Sequence, residues 1–141
     1  MDMASSQPKP RYPGKILVID DDEDIRNIYN DFLTQKGYVV DLAKDGQEGL
    51  QKILEGGYDL ILLDIMMPKI DGLGILKALK DKAPGSNVYT GNIVVLSVLN
   101  QPYIIEQAMA LGAKGYLNKS SVNPDEAMRA IEGFLDKESD I

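Results

Sequence analysis

Residues 15–24 are KILVIDDDED, an apolar run followed at once by five acids. KILVI is nearly continuous in apolar residues, the pattern of a strand covered on both faces. The acids sit awkwardly behind it, because adjacent like charges repel and an apolar strand end is a poor neighbour for them. Two further runs, YDLILLD (58–64) and NIVVLS (92–97), are equally continuous. YVVDLA (38–43) and KGYLN (114–118) complete a set of five predicted strands.

Helical patterns fill the gaps. Ile25, Ile28, Tyr29, Phe32 and Leu33 fall at i, i+3, i+4, i+7 and i+8, one stripe of a helix that stops at Gly37. The second helix opens at DGQE, where Asp45 and Glu48 have capping-box spacing, and Gly56-Gly57 ends it. The third covers about 72–82 and ends before Pro84, and the fourth runs from near Pro102 to Gly112. The fifth opens at NPDE, with an Asn cap, a first-turn Pro and acids at the positive end of the dipole. Its stripe is Ala127, Ala130, Ile131, Phe134 and Leu135.

Strand and helix alternate five times. That predicts an α/β domain, a doubly wound parallel sheet with helices on both faces, joined by right-handed crossovers. Ligands of such sheets bind beyond the carboxyl ends of the strands, where the strand order reverses. One domain is expected over 15–137, with a flexible tail at 1–14, MDMASSQPKPRYPG, and a short one at 138–141. DKAPGSNVYTGN (81–92) is expected as a long surface connection.

Composition narrows the chemistry. The chain has 141 residues, 44% of them hydrophobic, enough for one core. A net charge of −7 argues against direct nucleic-acid binding, which needs a basic stripe. There is no Cys and no His. That excludes disulfides, thiolate chemistry, Ser-His triads and most zinc sites. No apolar run approaches the roughly 20 residues that span a bilayer. The start lacks the apolar core of a signal peptide. A cytoplasmic protein without membrane contact is expected.

The strand ends carry the chemistry. Strand one ends in Asp20, Asp21 and Asp22, strand three in Asp64, strand four in Ser97, and strand five in Asn118-Lys119. Two or three carboxylates brought within a few ångströms need a counter-charge. A hard divalent cation supplies one, and magnesium takes one or two carboxylates together with waters and phosphate oxygens. An Asp carboxylate can act as a nucleophile and form an aspartyl phosphate. A lysine and a hydroxyl can bind the phosphoryl oxygens. Taken singly, each residue has a plainer reading. The acids after strand one could cap a helix, Asp64 could cap a turn before Pro68, and Lys119 could be a solvated loop lysine. The case rests on all four strand ends suiting one chemistry.

These residues resemble the receiver domain of bacterial two-component response regulators over roughly 15–136. ILVIDDDEDIR resembles the family's first strand and acidic pair, and YDLILLDIMMPKIDGL its phosphoacceptor strand and following loop. IVVLS resembles the strand with the switch hydroxyl, and GAKGYLNK the strand with the switch aromatic and the lysine. The resemblance implies a flavodoxin-like five-stranded sheet in order 2-1-3-4-5. It implies a phosphoprotein rather than an enzyme, one that catalyses only its own phosphorylation and dephosphorylation at Asp64. Asp21 would be a direct magnesium ligand, Asp20 would act mainly through a metal-bound water, and the Met66 backbone carbonyl would complete the set with Asp64. Manganese would substitute. Ser97 and Lys119 would bind the phosphoryl group, and Tyr116 would turn inward on activation. A half-buried strand tyrosine remains open for Tyr116. The donor would be a histidine kinase or histidine phosphotransfer protein, since this chain has no His. Output would pass through the face made by the fourth helix, fifth strand and fifth helix to an unspecified effector.

Two departures from the family pattern stand out. Lys119 is followed by Ser120 where the family usually has a cis proline. A cis bond before a non-proline residue costs about 2.5–4 kcal/mol, so trans is expected. Val98 follows Ser97 where a small residue is usual, and narrows access to Asp64. Met66 and Leu99, two positions beyond Asp64 and Ser97, are apolar and cannot orient a water, so slow self-dephosphorylation is expected. Two other functions compete. One is a receiver-like scaffold that binds partners without phosphorylation. The other is a magnesium-dependent aspartate phosphatase, which needs an acid two residues after the nucleophile, where Met66 stands. No output domain follows the last helix in this chain, so both a stand-alone receiver and a piece of a longer protein remain open.

Overall fold

A computed structural model describes residues 14–81 and 92–139, with 134–139 described as backbone alone. The predicted tail before Gly14, residues 82–91 of the long connection and the side chains of Phe134 and Leu135 lie outside the described residues.

The elements are β1 (Lys15–Ile19), α1 (Glu23–Gln35), β2 (Val39–Ala43), α2 (Gly46–Glu55), β3 (Leu60–Leu63), α3 (Gly72–Lys80), β4 (Asn92–Ser97), α4 (Pro102–Ala110), β5 (Gly115–Asn118) and α5 (Pro124–Ser139). All the strand pairs are parallel, in the order β2-β1-β3-β4-β5. Order reverses between β1 and β3, which puts the switch point where the acids are. The strands alternate between two cores. Leu17, Ile19, Ile61, Leu63 and Val95 pack with Ile53, Ile75 and Ala108 of α2, α3 and α4. Ile16, Val18, Leu60, Leu62 and Val94 pack with Tyr29, Leu33, Met128 and Ile131 of α1 and α5. Burial on both faces explains why β1, β3 and β4 lack polar alternation.

The helix starts follow their predicted caps. The Asp45 carboxylate accepts from the Glu48 amide at 2.8 Å, while the Glu48 carboxylate accepts from the Lys44 amide at 2.8 Å. Asn123 and Glu126 form a reciprocal capping box at 2.8 and 3.0 Å. α5 runs to Ser139, two residues past the expected boundary at 137. Gly14, expected in the loose tail, accepts from the Val39 amide at 2.6 Å through its carbonyl.

Two close approaches lock the loop after β3. A Cβ at Gly46 would lie 1.5 Å from the Ile70 carbonyl oxygen, so the start of α2 sits directly on that loop. A Cβ at Gly72 would lie 2.4 Å from the Asp64 carbonyl oxygen, so α3 starts against the end of β3. Lys69 in the same loop has φ 72°, a left-handed conformation rare outside glycine. Its ammonium reaches the Asp45 carboxylate at 3.3 Å.

Candidate functional site

Backbone bonding carries the sheet one residue past its strands and thereby aims the site residues. The Asp20 amide donates to the Ala43 carbonyl at 3.1 Å, the Asp64 amide to the Ile19 carbonyl at 3.0 Å and the Lys119 amide to the Ser97 carbonyl at 2.8 Å. Asp20, Asp64, Ser97 and Lys119 therefore meet at one edge, as the sequence predicts.

One carboxylate oxygen from each of Asp20, Asp21 and Asp64 can be chosen so that all lie within 4.8 Å of one another. Asp20 and Asp64 are buried, at 2% and 5% exposure, while Asp21 is exposed. The Lys119 ammonium lies 2.6 Å from Asp20 Oδ2 and 3.3 Å from Asp64 Oδ2. Asp20 Oδ1 accepts from the Asp22 amide at 2.9 Å. The Asp22 carboxylate serves the start of α1 instead. Its Oδ1 accepts from the Asp24 amide at 2.9 Å and the Ile25 amide at 3.3 Å, which makes it the cap of α1. The acidic run thus divides into a cluster pair and a helix start.

Arg26 is a positioning residue absent from the predicted site residues. Its Nη1 donates to the Asp20 carbonyl at 2.7 Å, fixing the strand end from one turn into α1. The signal in the sequence was its place on the first helical turn after the acids.

Charge in the cluster is unbalanced. Burial, then the Asp20 charge, push the Asp64 carboxyl up to about 6, against the opposing pull of Lys119 and the Met66 amide. Asp20 is raised too, by burial, despite its bonds from Lys119 and Asp22. Burial works against the Lys119 ammonium, but Asp20 and Asp64 outweigh it and hold the lysine protonated. Three carboxylates facing one ammonium suit a hard divalent cation bound through oxygen.

The acid cleft has a volume of about 470 Å³ and is lined by Asp21, Asp64, Met66, Val98 and Lys119, together with Asp22, Ile25 and Ser120 at its α1 and β5 sides. Val98 stands at this rim at 52% exposure and Met66 at 55%. Leu99 instead lines an adjoining apolar hollow of about 530 Å³ with Met66, Met67 and Ile104. Ser97 is wholly buried, and its Oγ accepts from the Leu99 amide at 3.2 Å. The half-buried Tyr116 donates its hydroxyl to the Leu99 carbonyl at 2.7 Å, so the ring reaches the β4–α4 loop. Burial first, then the Asp64 charge, raise this phenol, with a bond to Ser97 opposing them. No described peptide bond is cis, and Lys119–Ser120 is trans as expected.

A doubly wound parallel sheet whose switch point gathers three carboxylates and a lysine defines an α/β class with an acidic site at its strand ends. The family description of the response regulator receiver domain matches residues 16–132. The chain belongs to this family, the receiver domains of two-component response regulators. It is 40% identical over 105 residues to the transcriptional regulatory protein DltR of Streptococcus agalactiae, covering 74% of this chain and 45% of that one. The chain thus spans about half the length of the transcriptional regulators it matches. It is 34% identical over 110 residues to the chemotaxis protein CheY of Treponema pallidum, covering 76% and 73% of the two chains. Among solved structures, a two-component response regulator from Clostridium difficile superposes with a TM-score of 0.77 at 32% identity, covering 89% of this chain and 98% of that one.

Proposed function

We propose that Asp64 accepts a phosphoryl group from a phosphohistidine on a partner histidine kinase or histidine phosphotransfer protein, and that the resulting charge switches the output face. The observation that carries this reading is one ammonium shared by two buried carboxylates, Asp20 and Asp64, beside the exposed Asp21. An Asp64 oxygen forms the new P–O bond as the P–N bond to imidazole breaks. The imidazole nitrogen keeps the electron pair and takes a proton. Asp20, Asp21, Asp64 and the Met66 carbonyl would hold magnesium, or manganese in its place. When bound, such an ion neutralises charge on the phosphoryl oxygens.

Lys119 then exchanges part of its carboxylate contact for a phosphoryl oxygen. Ser97 gives up its bond from the Leu99 amide to donate to the same group. Tyr116 responds through the shared β4–α4 loop, and the signal leaves through α4, β5 and α5. Residues 15–137 are the working unit, placed in the cytoplasm and free of direct nucleic-acid or membrane contact.

The test is incubation with acetyl phosphate and magnesium, followed by intact mass. One phosphoryl adduct is expected, absent in Asp64→Asn and absent without a divalent ion. Since Met66 and Leu99 offer no water-orienting group, the adduct is long-lived. Met66→Asn should hasten its loss by roughly tenfold, the effect of about 1.4 kcal/mol of better water positioning. Equal lifetimes would count against that role. A second reading is a scaffold, with the Tyr116 ring held at the β4–α4 loop by its bond to the Leu99 carbonyl. A scaffold that binds partners constitutively would give no adduct even from a phosphohistidine donor.

A further inference from the structure

Met66 borders two hollows at once. It lines the acid cleft with Asp64 and Lys119, and the adjoining apolar hollow with Leu99 and Ile104. Its amide donates to the Asp64 carboxylate, which seats the residue directly against Asp64. At 55% exposure it is the most open methionine among the described residues. Met109 on α4 is 43% exposed, Met67 packs against the core beneath α2, α3 and α4, and Met128 is buried. The chain has no Cys and no Trp, so its thioethers are its most oxidisable side chains. In the phosphoryl chemistry Met66 serves through its backbone, and its sulfur has no part. We propose that this thioether is a peroxide-sensitive modification site, and that its sulfoxide shortens the life of phosphorylated Asp64. The effect on lifetime rests on the phosphoryl reading of Asp64.

A sulfur lone pair takes one oxygen of hydrogen peroxide as the O–O bond breaks. The proton on that oxygen passes to the departing hydroxide. Thioether and peroxide thus become sulfoxide and water, with sulfur oxidised by two electrons and the peroxide reduced by two. The product is a strong hydrogen-bond acceptor where the thioether was a weak one. A water attacking phosphorus has to be oriented and has to shed a proton, and a sulfoxide oxygen in the cleft wall accepts a hydrogen bond from it. The change falls on a loop whose backbone is held. The Gly72 amide donates to the Ile65 carbonyl at 2.8 Å, and the close approaches at Gly46 and Gly72 are to Ile70, Asp64 and Ile65. The exposed Met66 side chain can therefore change its chemistry while the loop beneath it keeps its course. Met67 is the contrast, since a sulfoxide there would press a polar oxygen into packed apolar surface. Methionine sulfoxide reductases reverse the modification, so the lifetime is resettable.

The test treats the full-length chain with hydrogen peroxide and maps sulfoxides by peptide mass. The chain is then loaded with acetyl phosphate and magnesium, and loss of the phosphoryl mass is followed after the donor is removed. Met66 should oxidise ahead of Met109 and far ahead of Met128. The phosphoryl group should then leave roughly tenfold faster than from the untreated chain, the effect also expected of Met66→Asn. Met109→Leu should keep this response, and Met66→Leu should give one lifetime with and without peroxide. Met66→Gln carries a similar acceptor without oxidation. It should show the short lifetime untreated, which keeps the proposal testable if oxidation elsewhere unfolds the chain. A sulfoxide reductase should restore the long lifetime. Oxidation at Met66 no faster than at Met109, an unchanged lifetime once Met66 is oxidised, or a peroxide response that survives Met66→Leu overturns the proposal. Absence of any adduct on the untreated chain would overturn the phosphoryl reading and the lifetime effect with it. That result is distinct from an adduct whose lifetime ignores peroxide.

Discussion

Two buried carboxylates, Asp20 and Asp64, share one ammonium at the ends of β1 and β3 with Asp21 beside them, so ionising all three works against folding. Removing one charge should relieve it. The raised Asp64 carboxyl means that its ionised form is disfavoured in the folded state. Stability is therefore lost as pH rises from about 4 through the folded value near 6. At neutral pH in a chelating buffer, Asp64→Asn should stabilise the protein to urea by about 1–2 kcal/mol, a figure reduced for water reaching the cleft. Magnesium held as proposed by Asp20, Asp21 and Asp64 would narrow or reverse the gap, because it would bind the folded wild type. A variant no more stable than wild type in chelator would count against the crowding. The identities of these acids were readable in the sequence, because each follows an apolar run and the sheet must end there. The preference of Lys119 was not. The lysine lies closer to Asp20, 99 positions away, than to Asp64, and only the register of β5 against β4 and β1 against β3 decides that.

At the scale of elements, signals that act within a few residues located the helices: apolar stripes and Asx caps for α1, α2 and α5, prolines and glycines for α3 and α4. The α4 cap residue, Gln101, makes no side-chain bond. Boundaries were less legible where tertiary bonds compete. Tyr58 and Asp59 look like strand residues, yet β3 begins at Leu60. The Tyr58 hydroxyl is bonded to Asp41, and the Asp59 amide to the Lys15 carbonyl. Glycines divide in the same way. Gly46 and Gly133 both lie within helices, but their surroundings differ. Gly46→Ala would drive a methyl into the Ile70 carbonyl and should cost at least about 2 kcal/mol. It should also disturb the loop that carries Met66. At Gly133 on α5, the position a methyl would take has nothing within 4 Å, and Gly133→Ala should gain about 0.5–1 kcal/mol from helix propensity. Urea midpoints of the two variants should move in opposite directions. A neutral Gly46→Ala would show that α2 and the β3–α3 loop are not locked together.

Across the whole molecule, charge acts on the sheet at two places, and the two behave oppositely with pH. The acid cluster penalises the folded state as its carboxylates ionise. Midway along the edge strand β2, Asp41 accepts from the Tyr58 hydroxyl at 2.6 Å, the Lys52 ammonium at 3.0 Å and the Leu42 amide at 2.9 Å. Lys52 also donates to the Leu42 carbonyl at 2.7 Å, and the Lys15 ammonium sits 4.9 Å over the Tyr58 ring. Burial alone would raise the Asp41 carboxyl, but these bonds outweigh it and hold it below the usual range. Its stabilising effect is therefore present above the unfolded value of about 3.9 and lost as pH falls through the lower folded value. Tyr58→Phe removes one bond to this carboxylate and should cost about 1 kcal/mol at pH 7. The cost should hold down to about pH 4.5 and shrink below that, as Asp41 takes up its proton. Urea unfolding of wild type and variant across that range measures the gap. A gap that stays constant or widens toward low pH would mean that the Tyr58 hydroxyl does not depend on an ionised Asp41, and that β2 is pinned by packing alone.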